Sequence, residues 1–167
     1  MTITPDPNIE ILIKLLVATF LGALIGLERE RSHKAAGLRT HALVSLGSAL
    51  LTILSLYMVN VINFENYDPS RIISNIIVGI GFIGGGAILR SGFRITGTTT
   101  AASLWIVAAI GIATGVGFYY GAIVTAIIAY FLLTVVWKLE KRFATVSSQQ
   151  SEGNSALGDV IVDESRT

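Results

Sequence analysis

The sequence predicts an all-α integral membrane protein of five transmembrane helices, with its N-terminus outside the cell and its C-terminus in the cytoplasm. Three observations carry this expectation. Of 167 residues, 52% are hydrophobic and 14% charged, whereas a soluble domain is about 25% charged. The apolar residues gather into segments of membrane-spanning length. Lys and Arg collect at the ends of these segments that share one side, which is the side retained in the cytoplasm.

A short external N-terminus, residues 1–8, precedes the first span at about 9–27. Asp6 and Glu10 stand where a secretory signal carries positive charge, so this span is read as retained. The second span covers about 42–62, and the third, about 72–89, is short. Residues 101–137 then run without a charge; as one helix they would extend about 55 Å against a hydrocarbon core of about 30 Å. Gly115, Gly117 and the pair Tyr119 and Tyr120 mark a turn there, since glycine relaxes helix geometry and tyrosine prefers the headgroup level. The result is a fourth span at 101–117 and a fifth at 118–137. One side of the membrane receives Arg29, Arg31, Lys34, Arg39, Arg90, Arg94, Lys138, Lys141 and Arg142, and the other receives Arg71. The spans form one membrane domain, 9–142, followed by a polar, Ser- and Gly-rich stretch, 143–167, that reads as a flexible cytoplasmic tail.

Composition also removes whole classes of function. With no cysteine, disulfides and thiolate metal sites are excluded. A net charge of +1, with no basic patch interleaved with aromatics, excludes nucleic acid as a partner. Neither histidine has the spacing of a zinc protease, and no nucleophile elbow or phosphate loop is present, so no enzyme is expected. No cofactor is implied.

The stretch IVGIGFIGGGAILRSG matches G-x-G-x-x-G at Gly79, Gly81 and Gly84. A dinucleotide site needs a preceding strand and an acid about 20 residues on. No Asp or Glu occurs between Asp68 and Glu140. In lipid, glycines four apart instead let helix backbones approach, and Gly22 with Gly26, Gly81 with Gly85, Gly111 with Gly115 and Gly117 with Gly121 have that spacing. The cluster Gly79, Gly81, Gly84, Gly85 and Gly86 is denser than one contact needs. It marks either a tightly packed regular helix or a helix broken at membrane depth, where freed carbonyls bind ions.

His41, Ser45, Ser48, Thr52 and Ser55 follow steps of four, three, four and three, which places all five on one helix face. Such a stripe either packs against neighbouring helices or lines a polar path. Glu28 and Glu30 stand near the cytoplasmic end of the first span and are candidate ligands for a hard divalent cation such as Mg²⁺. Their spacing to Arg31 and Lys34 suits helix-surface ion pairs equally well. Lys14 can either snorkel outward or pair with Glu10. Asn75 is expected to face the bundle, and Thr98, Thr99 and Thr100 to cap the fourth helix.

Three blocks resemble the MgtC/SapB family: GALIGLERERSHKAAGLRTHALVSLGSAL (Gly22 to Leu50), VGIGFIGGGAILRSG (Val78 to Gly92) and GTTTAASLWIVAAIG (Gly97 to Gly111). The likeness covers roughly residues 10–140. It departs from the family at Thr98, where leucine is usual, and no ACT-like cytoplasmic domain follows Phe143, as in the short, SapB-like members. The resemblance implies a multi-pass bacterial inner-membrane protein of magnesium homeostasis, linked in some members to survival inside host cells. It points to Glu28, Arg29, Glu30, Gly37, Arg39, Thr40 and His41 as a cytoplasmic functional loop. It adds Asn75, the glycines from Gly81 to Gly86, Thr99, Thr100, Ser103 and Trp105. Arg39 would then fix the loop by pairing with Glu28 or Glu30.

Two functions fit these features. One is a transporter for Mg²⁺ or another divalent cation, with the acids at its mouth and the hydroxyl stripe, Asn75, Thr99, Thr100, Ser103 and Trp105 as polar lining. The other is a non-transporting regulator whose GxxxG-spaced faces bind helices of another membrane protein. A homo-oligomer is compatible with both.

Overall fold

A computed structural model describes residues 6–62, 68–91 and 94–136. The expected tail, 143–167, and the basic residues Lys138, Lys141 and Arg142 lie outside them. The chain divides after Tyr130 into two units.

The first unit is helical. α1 covers Pro7–Arg31, with Asp6 accepting a hydrogen bond from the Asn8 amide at 2.9 Å and Pro7 in the first turn, where its missing N–H costs nothing. Lys14 pairs with Glu10 at 2.7 Å, one of its two expected arrangements. α2 covers Leu38–Ile62 and α3 Ser70–Gly86. Ahead of α3, Asp68 accepts from both the amide and the hydroxyl of Ser70, which hold its carboxyl below the usual range. α4 covers Thr98–Gly115 and α5 Tyr119–Phe131. In the second unit the described part is brief: Phe131 is the last residue of α5, and Leu132–Val136 form one π-helical turn.

α2 is central. It packs along α1 on one side and α4 on another, α1 and α4 also touch, and α3 lies mainly against α4. Small residues permit this closeness. A Cβ on Gly22 would meet the His41 carbonyl and Ser45 Cβ at 2.7 Å, and one on Gly26 would meet Leu38 Cα at 2.8 Å. On α4, a Cβ on Gly111 would collide with the Ser45 carbonyl, and one on Gly115 would meet Thr52 Cβ at 2.8 Å. Lipid tails are as apolar as leucine, so close packing rather than water exclusion drives such association. The outward faces carry Leu16, Phe20, Leu43, Phe82 and Ile127, all well exposed, as expected for surfaces solvated by hydrocarbon.

Several expectations need correction. Within the all-helical fold, β1 (Leu89–Ser91) and β2 (Arg94–Thr96) add a short antiparallel hairpin between α3 and α4, with Leu89 opposite Thr96 and Arg90 opposite Ile95. α3 therefore ends at Gly86, where the expected third span ran to residue 89, and α4 begins at Thr98 rather than 101. Gly97, at φ 90°, makes that start possible, because a Cβ there would collide with the Ala87 carbonyl. α1 and α2 extend to Arg31 and back to Leu38, beyond the apolar windows, because polar and charged residues continue the helices past the apolar sequence. The glycine cluster does not break α3, which stays helical through Gly86. Among the described residues three helices are long and apolar enough to cross a membrane, while α3 and the segment Tyr119–Val135 are shorter apolar helices.

If glycine contact governs the assembly, Gly111→Ala will lower the thermal midpoint in detergent, at an overpacking cost of about 1–3 kcal/mol. Gly81→Ala, where an added Cβ meets nothing within 4 Å, will leave it unchanged or raise it, which unfolding by circular dichroism will measure.

Candidate functional site

The corner between α1 and α2 gathers most of the charged candidates. α1 ends with Ser32 N bonded to the Glu28 carbonyl, His33 N to Glu30 and Lys34 N to Arg29, each at 3.0 Å. This is a Schellman closure, with His33 at φ 52° where glycine is usual. Glu28 and Arg29 are buried, 7% and 1% exposed. Glu28 pairs with Arg29 and also accepts from the Ser32 hydroxyl at 2.8 Å. Removing one partner of such a pair would strand a charge in a low dielectric.

Glu30 is exposed, and its carboxylate accepts the Leu38 amide at 2.8 Å, at the N-terminus of α2, where free amides favour an anion. Gly37 leaves room for it: a Cβ there would stand 2.8 Å from Glu30 Oε2. The two acids thus meet backbone, Ser32 and Arg29. Arg39, expected to pair with one of them, is exposed, and no ion pair of Arg39 occurs among the described residues, because Arg29 occupies Glu28 and the Leu38 amide occupies Glu30. Among the described residues no three His, Asp or Glu side chains converge as a metal site.

His41 joins this corner to α4. Its Nδ1 lies 2.9 Å from the Gly37 carbonyl and its Nε2 3.0 Å from Ser103 Oγ, and Ser103 Oγ lies 2.8 Å from the Thr100 carbonyl. A carbonyl only accepts, so Nδ1 carries a proton. The Ser103 hydroxyl has one proton for two acceptors, the Thr100 carbonyl and a neutral His41. All three contacts are made together when the imidazole donates from both nitrogens; otherwise the hydroxyl turns from one acceptor to the other.

The hydroxyl stripe is a packing seam. His41, Ser45, Ser48, Thr52 and Ser55 are all buried. Ser45 faces Gly22 and Gly111, and Thr52 faces Gly115. Thr52 donates to the Ser48 carbonyl at 2.7 Å and Ser55 to the Pro69 carbonyl at 2.9 Å, while Ser45 Oγ has no hydrogen-bond partner among the described residues. Backbone fills the space beside Ser45 and Thr52, while Ser48 also borders a cleft between α2 and α3.

The remaining candidates scatter. Thr100 and Ser103 are buried beside His41, whereas Thr99 is exposed. Trp105 is 48% exposed and lines a small apolar cavity of about 220 Å³ between α3 and α4. Asn75, expected to face the bundle, is exposed and lines an apolar cleft between α2 and α3 together with Ser48, Arg39 and Thr40. Of the glycine cluster, a Cβ on Gly84 would lie 3.5 Å from Ala101 Cβ, while one on Gly79, Gly81, Gly85 or Gly86 would meet nothing within 4 Å. Sequence reasoning missed Ser32 and the Leu38 amide as partners of the acids, and it missed the cleft. Gly47 was a usable signal, since it stands off the hydroxyl face of α2, and a Cβ there would meet nothing within 4 Å.

His41→Ala, which loses two hydrogen bonds and leaves a void, will lower unfolding stability in detergent by about 2–3 kcal/mol. Thr99→Ala will change it by less than about 0.5 kcal/mol.

Comparison with known proteins agrees with the motif blocks. Residues 15–142 match the model of the MgtC family. Over 126 residues the chain is 43% identical to the "Putative magnesium transporter YhiD" of Escherichia coli (strain K12), covering 71% of this chain and 59% of that one. It is 43% identical over 136 residues to protein SapB of Bacillus subtilis (strain 168), covering 78% and 56%. To protein MgtC of Salmonella typhimurium (strain 14028s / SGSC 2262) it is 42% identical over 117 residues, covering 70% and 48%. The chain thus spans about half the length of the curated relatives it matches. No solved structure matches it. With apolar helices long enough to cross a bilayer and a match over most of its length, the chain belongs to the MgtC family.

Proposed function

We propose that this is a bacterial inner-membrane protein of magnesium homeostasis, crossing the bilayer five times with its N-terminus outside, and that it works without conducting ions along the α2 stripe. The homeostasis class rests on the family and on the magnesium named for the Escherichia coli relative. The orientation is supported by Arg29, Arg31, Lys34 and Arg39 at the α1–α2 corner and by Arg90 and Arg94 in the hairpin after α3, against Arg71 at the start of α3. α3 has 17 residues and rises about 25 Å, so it crosses with local thinning of the bilayer.

One observation carries the non-conducting reading. Every hydroxyl of the stripe is buried, and glycine backbones of α1 and α4 occupy the volume a path would need. On this reading the chain acts through partners. Gly22, Gly26, Gly111 and Gly115 are consumed within the fold, which leaves Gly81 and Gly85 on α3 as the open small-residue face. A second reading, Mg²⁺ transport, is favoured by the name of the Escherichia coli relative and by Ser48 and Asn75 in the α2–α3 cleft.

Purified protein in liposomes loaded with a Mg²⁺ indicator will show no flux above empty liposomes; flux that Glu30→Gln or Asn75→Ala reduces would establish transport instead. Alkaline phosphatase joined to the N-terminus and green fluorescent protein joined to the C-terminus will both be active, and an inactive phosphatase would reverse the orientation.

A further inference from the structure

The cleft between α2 and α3 has a volume of about 800 Å³ and borders the seam at Ser48 and the α1–α2 corner at Arg39 and Thr40. On α2 it runs from Arg39 and Thr40 to Leu51, and on α3 from Ile83 back to Ile72. The rise from Arg39 to Leu51 is about 18 Å, close to one leaflet of a hydrocarbon core about 30 Å thick. Gly47 and Gly79 stand on its opposite walls, and a Cβ on either meets nothing within 4 Å. The lining is almost wholly apolar and includes no acid. Its one basic side chain, Arg39, stands at one end. Arg39 is exposed, and among the described residues no carboxylate lies within 4.0 Å of its guanidinium.

We propose that this cleft binds an anionic phospholipid, with acyl chain between Gly47 and Gly79 and phosphate on the Arg39 guanidinium and Thr40 hydroxyl. Charge complementarity selects the occupant: a planar guanidinium offers paired donors to phosphate oxygens, and basic pockets between transmembrane helices hold anionic headgroups. Length selects it as well. A partner's spanning helix must cross both leaflets, whereas the cleft covers one and ends in a charge that an apolar helix cannot satisfy. The site shares Ser48 and Asn75 with the Mg²⁺ transport reading, but the lipid proposal rests on the apolar lining and on Arg39 and does not depend on that reading.

The full chain, reconstituted in bilayers of equal phosphatidylglycerol and phosphatidylcholine and released into mild detergent, will carry its bound lipid into native mass spectrometry. Phosphatidylglycerol will be retained about fivefold over phosphatidylcholine, and Arg39→Gln will remove the preference. Gly47→Leu, whose side chain projects into open space, will displace the lipid; Gly79→Leu repeats this from the facing wall, so misfolding of one variant leaves the other decisive. Equal retention of the two lipids, or retention unchanged in Arg39→Gln and in the folded leucine variants, would overturn the site. A dimer that the leucine variants abolish would also overturn it, by making a second copy the occupant.

Discussion

Backbone-to-backbone approach at α2 is the constraint on which the rest depends. Inside a bilayer, apolar side chains gain nothing by leaving lipid for protein, so helices associate where their surfaces fit. Here the fit is set by Gly22 and Gly26 on α1 and by Gly111 and Gly115 on α4, each opposite a backbone atom or Cβ of α2. The small hydroxyl residues of α2 are the other half of that arrangement. Ser45 and Thr52 are narrow enough to sit against glycine, and Thr52 returns its hydroxyl to a carbonyl of its own helix. Polarity along α2 therefore follows from size and internal hydrogen bonding.

The same closeness explains the corner. Because Gly26 brings α1 onto the start of α2, His41 Cβ lies 2.9 Å from where a Gly26 Cβ would be. His41 then reaches Gly37 on one side and Ser103 of α4 on the other. Glu30 closes the turn by capping α2, and Gly37 gives it room. Buried ion pairs such as Glu28 with Arg29 seldom add net stability, but a misregistered α1 would leave one of these charges unpaired. The corner thereby fixes the register of the three central helices.

The sequence revealed the helices where apolar length and periodicity were both strong. It placed α1, α2 and α4 and the stripe on one face of α2, and it held the pairing of Lys14 with Glu10 as one of two options. Apolar windows could not set the ends, because Glu28 to Arg31 and Leu38 to His41 continue helices through polar sequence, sustained by caps invisible to hydropathy. The hairpin was illegible for a related reason: three-residue strands have no detectable period, and Gly97 reads as generic glycine until its φ is known. Motif residues from Glu28 to His41, with Thr100 and Ser103, do meet in space, since they share one end of α1, α2 and α4. Which acid meets which base depends on rotamers, and Arg39 went to the cleft because α2 turns it away from α1.

Packing and polarity together decide where an ion has room. A water molecule is about 2.8 Å across, and the Gly111 backbone stands so near the Ser45 carbonyl that even a Cβ does not fit. Opening the stripe would separate α2 from α4 along the seam that holds the fold together, and would dissolve the His41–Ser103 contact at its end. The α2–α3 cleft has space, yet beyond Arg39 and Thr40 it offers Ser48 and Asn75 as its polar groups, too few to replace the waters that Mg²⁺ surrenders reluctantly. Acyl chains need no such ligands. A cleft open to hydrocarbon, apolar along its length and cationic at one end has the polarity of a phospholipid, which is why the volume in this fold suits lipid better than a hydrated cation.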